Sequence, residues 1–320
     1  MDMRFAPGND RADPGLDVIM RERRQLINLA YRLLGSLAEA EDTVQETYAR
    51  WYAMSRPEQE AIENPAAWLT TVGSRICLDL LRSARARRER YVGEWIPEPL
   101  PGPGQWPAGQ PGGASSAASD LADPADRVTL DESVSMAFLV VLDSMTPAER
   151  VAFVLHDVFR YSFAEIAEIV GRTPAACRQL ASSARRRVHA AHPAATLPAP
   201  AGQRASLVRD FKKAWEARDI SALVGLLDPS ATLVADGGGL VPAALSPLTG
   251  GAAIARRTIE LAGLAPGLTL IERSVNGQPG LIAQQDGVTV TVLAFDVAHG
   301  RITKIWAVGN PEKLRPWTAG

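Results

Sequence analysis

The sequence predicts a multidomain chain, with two all-α helical modules followed by a mixed α+β domain. Three observations carry that expectation. Apolar residues recur at helical spacing, with capping signals, through roughly the first 190 positions. A Pro/Gly-rich stretch divides this helical part. From about position 230 the pattern changes to alternating strands joined by Asn-Gly and Asp-Gly turns.

The chain has 320 residues, enough for two or three domains at about 150 residues each. Hydrophobic residues make up 46% and charged residues 22%, an ordinary globular composition too apolar for wholesale disorder. Lys and Arg number 34 against 36 acids, net −2, which excludes a uniformly basic nucleic-acid coat but allows local basic patches. No apolar run approaches the roughly 18 residues of a membrane span, and residues 1–10 lack a secretory apolar core. A cytoplasmic protein with no membrane partner is therefore expected. Cys77 and Cys177 sit beside apolar helical positions and read as reduced, buried thiols. His189 and His192 end an Arg-rich helix, and no Cys or His spacing indicates a metal or other cofactor.

The first helical block spans about 15–92. Leu26, Leu29, Ala30, Leu33 and Leu34 follow the helical period, and Gly35 stops the helix. Ser36 with Glu39 forms a capping-box pattern for the next helix. Its apolar face is Leu37, Ala40, Val44, Tyr48 and Trp51. Its opposite face carries Glu39, Asp42, Gln45, Glu46 and Arg50. Asn64-Pro65 then starts a helix with Trp68, Leu69, Val72, Ile76 and Leu80 in register. That helix runs into a cluster of six Arg against two acids over 75–90.

Residues 93–123 read as a flexible linker. Four Pro and five Gly fall within 101–119, and 91–125 contains no Lys or Arg. The second helical block, 124–191, carries two further capping boxes, Thr146 with Glu149 and Ser162 with Glu165. The helix opened by Ser162 ends at Gly171, and Thr173-Pro174 opens another, which is a helix-turn-helix pattern. Ala176, Leu180, Ala184 and Val188 are expected to face the core, leaving Arg178, Ser182 and Arg185 outside with Gln179 beside them. Arg and Gln fork onto base edges and Arg and Ser hold phosphates, although a purely structural helical hairpin shows the same pattern.

The third block, 203–320, opens with a helix broken near Asp219 and holds another at 252–262. Strands are expected at 231–235, 268–275, 281–284, 288–295 and 301–308, an antiparallel meander joined at Asn276-Gly277, Asp286-Gly287 and His299-Gly300. A sheet wrapped on helices follows.

The first block resembles region 2 of an extracytoplasmic-function (ECF) RNA polymerase sigma factor, through the stretch 37–46 (LAEAEDTVQE) and the helix from Trp68-Leu69 to Leu81-Arg82. The second resembles sigma region 4, through Glu165-Ile166-Ala167, Gly171-Arg172-Thr173 and the basic run 178–187. The third resembles a SnoaL-like domain of the nuclear-transport-factor-like fold, an α+β cone. The three-part order is that of a sigma-factor group with a fused C-terminal domain. Its motifs are matched by Trp95-Ile96-Pro97-Glu98-Pro99, Asp236-Gly237-Gly238-Gly239 and Asn310-Pro311-Glu312-Lys313-Leu314. Ile96 stands where the group usually has Leu, Glu312 where it has Asp, and Leu240 where it has a basic residue.

The resemblance implies a promoter-specificity subunit of core RNA polymerase. Asp42, Gln45 and Glu46 would dock the β′ clamp, and region 4 would meet the β flap. The helix from Trp68 would open the minus-10 element, with Arg75, Arg82, Arg85, Arg87 and Arg88 holding phosphates. Trp68 itself falls in an apolar series and reads as core. Arg172, Thr173, Arg178, Gln179, Ser182, Arg185 and Arg186 would meet the minus-35 element. The linker would let the two modules span the promoter spacer better than a packed interface.

The C-terminal domain would regulate in cis. Asp236, Gly237, Gly238 and Gly239, with Asn310, Pro311, Glu312, Lys313 and Leu314, would dock on Trp95, Pro97, Glu98 and Pro99, unless Trp95 packs back on region 2. Catalysis would need a buried acid or base. The candidates Asp236, Asp296 and His299 lie at turns, so no enzyme is expected. A small-molecule ligand in this domain remains a candidate. The alternatives are a ligand-sensing helix-turn-helix regulator, or a SnoaL-like cyclase or isomerase fused to DNA-binding modules.

Overall fold

The computed structural model describes residues 14–88, 91, 93–102, 105, 134–191, 199–241 and 246–318, with the backbone alone for 14–21 and 84–88. Most of the Pro/Gly-rich linker lies outside the described residues.

The first block forms α1 (Pro14–Leu34), α2 (Leu37–Ala53), the short α3 (Arg56–Glu60) and α4 (Pro65–Arg88). Gly35 ends α1 at φ +74°, and a Cβ there would stand 2.9 Å from Trp95 Cη2, so both backbone and space demand glycine. Ser36 caps α2 by accepting the Glu39 N–H, and Asn64 caps α4 by accepting that of Ala67.

The second block forms α5 (Met136–Asp143), α6 (Pro147–Phe153), a π-helical turn (Val154–Val158), α7 (Phe163–Val170) and α8 (Pro174–Ala191). Both expected capping boxes are complete, at Thr146/Glu149 and Ser162/Glu165. Gly171 turns the chain between α7 and α8 at φ +70°. α3, α5 and the π turn have no counterpart in the sequence expectation.

The two helical modules do not stand apart. Leu26, Leu33, Trp51, Leu69 and Leu81 of the first share one hydrophobic core with Leu139, Val151, Leu155, Ile166 and Cys177 of the second. Arg150, 4% exposed, seals the junction: it donates to the Leu33 carbonyl at the end of α1 (2.8 Å) and to Asp143 (2.9 Å). A cation there meets the negative end of the helix dipole. A packed interface therefore exists where the sequence pointed to a tether. Each module keeps an apolar face that its own helices leave uncovered, and burial against the other removes it from water.

The third block is α9 (Ala201–Glu216), α10 (Ile220–Leu226), α11 (Gly251–Leu264) and a six-stranded sheet. Its strands are β1 (Leu227–Asp236), β2 (Leu248–Thr249), β3 (Thr269–Val275), β4 (Gln278–Gln285), β5 (Val288–Ala298) and β6 (Arg301–Val308). The order is β2-β1-β6-β5-β4-β3: β3 to β6 form the meander, and β1 lies parallel to β6. All three hairpin pairs take positive φ at both residues, from Asn276 (+50°) and Gly277 (+73°) to His299 (+52°) and Gly300 (+71°). These are the mirror-image turns that match strand twist.

Alternation gives the sheet two apolar faces. Leu270, Leu281, Phe295 and Ile305 pack on Val208, Phe211, Leu223 and Ile254 of the helices. On the other face, Ile282, Val292, Trp306 and Val308 are covered by Ile96 of the linker, Met136 of α5, and Leu314 and Trp317 of the C-terminal tail. Residues from the helical blocks thus complete a core that the third block leaves open.

Candidate functional site

The outer face of α2 is open. Asp42, Gln45 and Glu46 are exposed, and Glu46 pairs with Arg50 one turn on at 3.0 Å. The buried face holds Leu37, Ala40, Thr43, Val44, Thr47 and Trp51. A distant group caps the same helix: Glu98 Oε2 accepts the Leu37 N–H at 2.7 Å. Burial pushes the Glu98 carboxyl up to about 7, although the Leu37 N–H and the Ser36 hydroxyl favour its ionised form.

On α4, Arg75 donates to the Glu168 carbonyl near the end of α7 at 2.9 Å, so this arginine faces the other module. Arg82 pairs with Asp79 (3.1 Å) on open surface. Arg85, Arg87 and Arg88 end α4, and their side chains lie outside the described residues. Trp68 packs edge-on to Trp51, with ring centroids 5.3 Å apart, inside the shared helical core.

The helix-turn-helix presents Arg172, Thr173, Arg178, Gln179, Ser182 and Arg186 to solvent. Thr173 caps α8 through its Oγ1, 3.2 Å from the Ala176 nitrogen. The phase of α8 differs from expectation by about one position. Cys177, Ala181 and Ala184 are the buried residues, while Ala176, Leu180 and Val188 are half-buried. Small side chains let α8 approach α6 closely, and that approach decides which face turns in. Arg185 is half-buried and already engaged: its Nε donates to Asp157 of the π turn at 2.7 Å. Arg187 lies 3.7 Å from Glu149, which also accepts from Ser183 (2.7 Å).

The interdomain knot centres on Asp236, 1% exposed at the end of β1. Its Oδ1 accepts from the Tyr91 hydroxyl (2.6 Å) and the Gly238 N–H (3.0 Å). Its Oδ2 accepts from the Ile96 N–H (3.0 Å) and Lys313 Nζ (2.7 Å). Lys313 also donates to the Ile96 carbonyl (2.6 Å) and lies over the Trp95 ring, 4.2 Å from its centroid. Asn310, 2% exposed, donates through Nδ2 to the Tyr91 hydroxyl (2.9 Å). Gly238 sits at φ +64°, where a Cβ would meet Asn310 Nδ2 at 2.5 Å. Trp95 is wedged between Gly35 on the helical side and Lys313 on the other.

Pro97, Glu98, Pro99 and Leu314 are buried in this interface, and Gly237 is buried beside Asp236. Gly239, Leu240, Pro311 and Glu312 are exposed.

Several members have no motif of their own. Trp317 Nε1 donates to the Pro99 carbonyl (2.7 Å), and the buried Tyr31 hydroxyl donates to the Glu98 carbonyl (2.6 Å). Asn276, fully buried, donates to the Tyr31 hydroxyl (2.8 Å) and accepts the Leu100 N–H (3.1 Å). In the sequence Asn276 reads only as a hairpin turn. The one available signal was chemical: Asn carries a donor and an acceptor that a buried turn must satisfy.

Between α9–α11 and the sheet, hydrocarbon packs the interior, with Phe211 edge-on to Phe295 at 5.3 Å, and a cleft of about 260 Å³ opens at one end, lined by Trp215, Glu216, Ala262, Leu268 and Thr269. Asp296 and His299 instead line a cleft of about 670 Å³ between the sheet and α5, together with Met136, Arg204 and Lys304. Among the described residues no group of His, Cys, Asp and Glu has metal-binding geometry, and no helix is long and apolar enough to cross a membrane.

Residues 18–87 match the family model of Sigma-70 region 2, and residues 135–188 match that of Sigma-70, region 4. Over 302 residues the chain is 38% identical to the ECF RNA polymerase sigma factor SigJ of Mycobacterium tuberculosis (strain ATCC 25618 / H37Rv), covering 91% of this chain and 90% of that protein. It is 35% identical over 307 residues to the probable ECF RNA polymerase sigma factor SigI of M. tuberculosis (strain CDC 1551 / Oshkosh), covering 96% and 97%. The crystal structure of M. tuberculosis SigJ superposes with a TM-score of 0.69 at 34% identity, covering 93% of this chain and 98% of that one.

Proposed function

The chain belongs to the ECF RNA polymerase sigma factors, and from that premise we propose that its C-terminal domain controls, within the same molecule, when the two helical modules reach promoter DNA. As a sigma factor the chain binds core RNA polymerase and promoter DNA and directs transcription initiation. The observation that carries the regulatory reading is the Asp236 knot, which ties Tyr91 and Ile96 to Lys313. The segment joining the two helical modules is thereby held by the third domain.

The division of labour follows the resemblance to sigma regions 2 and 4. Asp42, Gln45 and Glu46 dock the β′ clamp, and the second module meets the β flap. Arg75, Arg82, Arg85, Arg87 and Arg88 hold phosphates of the melted minus-10 strand. Arg172, Thr173, Arg178, Gln179, Ser182 and Arg186 meet the minus-35 element, and Arg185 supports the recognition helix from behind. In the packed form Arg75 is taken up by the Glu168 carbonyl. The two reading heads separate before they engage two promoter elements, and releasing the knot favours that separation.

The C-terminal domain acts here as a docking surface and not as an enzyme, in the cytoplasm where polymerase works. Phe211, Phe295 and their apolar neighbours pack the interior of its cone, and Asp236 is spent on four donors. A small-molecule effector would find room in the cleft beside α5, where it would press on the contact between sheet and helical module.

Runoff transcription with core polymerase tests this. Asp236→Asn, and truncation after Gly202, should each change promoter-dependent transcription at equal protein level, with Asp236→Asn raising it. If both transcribe like the full-length chain, the regulatory reading fails.

A further inference from the structure

Three of the four arginines of α8 are held in two different ways. Arg185 and Arg187 lie against carboxylates, those of Asp157 and Glu149. Arg178 is exposed, and its guanidinium carbon lies 5.3 Å from the ring centroid of Phe163, the first residue of α7. A carboxylate occupies guanidinium N–H donors, whereas an aromatic face holds the plane of the group and leaves its donors unspent.

The Phe163 ring is itself fixed. His156 of the π turn stacks on it at 4.0 Å with the planes 26° apart, and His156 Nδ1 is bonded to the Tyr161 carbonyl at 2.9 Å. A carbonyl only accepts, so Nδ1 carries the proton in this contact. The series Tyr161 carbonyl, His156, Phe163, Arg178 runs from the backbone of the turn to the open face of the recognition helix.

We propose that Phe163 is a positioning residue for minus-35 recognition: its ring, braced by His156, holds Arg178 in place before DNA arrives while leaving its forked donors for a base edge. This rests on the reading that α8 contacts the minus-35 element through Arg178. An arginine without such a rest loses side-chain freedom only on binding, and that cost falls on the sequence that uses the contact.

The test uses full-length chain with core polymerase, on a promoter selected by the wild-type holoenzyme from a randomised library and on derivatives with single minus-35 substitutions. The readout is the ratio of transcription between the selected and substituted promoters. Phe163→Leu should compress that ratio about threefold, the scale of an exposed cation–π contact. Phe163→Tyr, which keeps the ring, should restore it. Phe163→Met, unbranched and apolar, should behave as Phe163→Leu and serves if the leucine variant unfolds.

An unchanged ratio in both ring-less variants overturns the proposal. So does an equal loss at all promoters, which would mark Phe163 as merely structural. Arg178→Ala separates the two ideas. If it compresses the ratio tenfold or more and Phe163→Leu does not, positioning by Phe163 fails alone. If Arg178→Ala also leaves the ratio unchanged, the base-reading role of Arg178 fails with it.

Discussion

Lys313 Nζ lies 2.7 Å from Asp236 Oδ2, with the two side chains 11% and 0% exposed, and this pair closes the C-terminal tail over the linker. A buried pair of this kind contributes little beyond what an apolar pair would, but removing one partner strands the other charge at a cost of about 3–5 kcal/mol. Lys313→Met should therefore destabilise the docked form by that order and raise transcription in vitro. Combining it with Asp236→Asn should recover part of the stability in denaturant unfolding. Strict additivity of the two changes would show that the residues are not coupled.

Glu98 gives the interface a pH dependence. Its carboxyl is raised to about 7 from an ordinary 4.5, so the folded chain binds this proton more tightly than the unfolded one. Stability from this group is full below about 4.5 and is lost as the pH rises towards 7, by roughly 3 kcal/mol at most. Glu98→Gln keeps an acceptor for the Leu37 N–H and carries no charge. It should flatten the fall in stability between pH 5 and pH 8 and be the more stable chain at pH 8. Equal slopes in thermal unfolding would remove Glu98 from the account.

Asn276 links the sheet to α1 through Tyr31 and to the linker through Leu100. Asn276→Ala leaves the buried Leu100 N–H without its side-chain acceptor and puts alanine at φ +50°. The expected cost is about 2–3 kcal/mol. Amide hydrogen exchange at Ile96, Glu98 and Leu100, the residues of this stretch that carry an N–H, should speed up, while exchange in α7 and α8 stays as in the wild type. Unaltered exchange at these three amides would mean that Asn276 serves the hairpin alone.

Two glycines at similar φ should respond differently to alanine. Gly171, at +70°, has open space around its missing Cβ, so Gly171→Ala should cost only backbone strain, about 1 kcal/mol. Gly238, at +64°, would drive its Cβ into Asn310 and disturb the Asn310–Tyr91 contact. Gly238→Ala should therefore cost more in unfolding and also raise transcription. Similar stability losses with no gain in transcription would place Gly238 outside the latch.

Local rules made much of this protein legible from its residues. The capping boxes at Thr146 and Ser162, the stop at Gly171 and the three positive-φ hairpin pairs each depend on neighbours within about four positions, so the sequence alone determined them. The motifs around Trp95, Asp236 and Asn310 stood out through the resemblance to a sigma-factor group with a fused C-terminal domain. Tertiary packing decided the rest. The phase of α8 turns on how closely Cys177 and Ala181 let it approach α6, a quantity that helical periodicity leaves open by one residue. The shared core of the two helical modules depends on apolar faces whose partners lie in another block. Tyr31 and Asn276 meet across 245 positions, and Tyr91 and Asp236 across 145. A tyrosine in an apolar helix and an asparagine in a hairpin each satisfy their local rule. Only folding places one polar atom where burial obliges it to find the other.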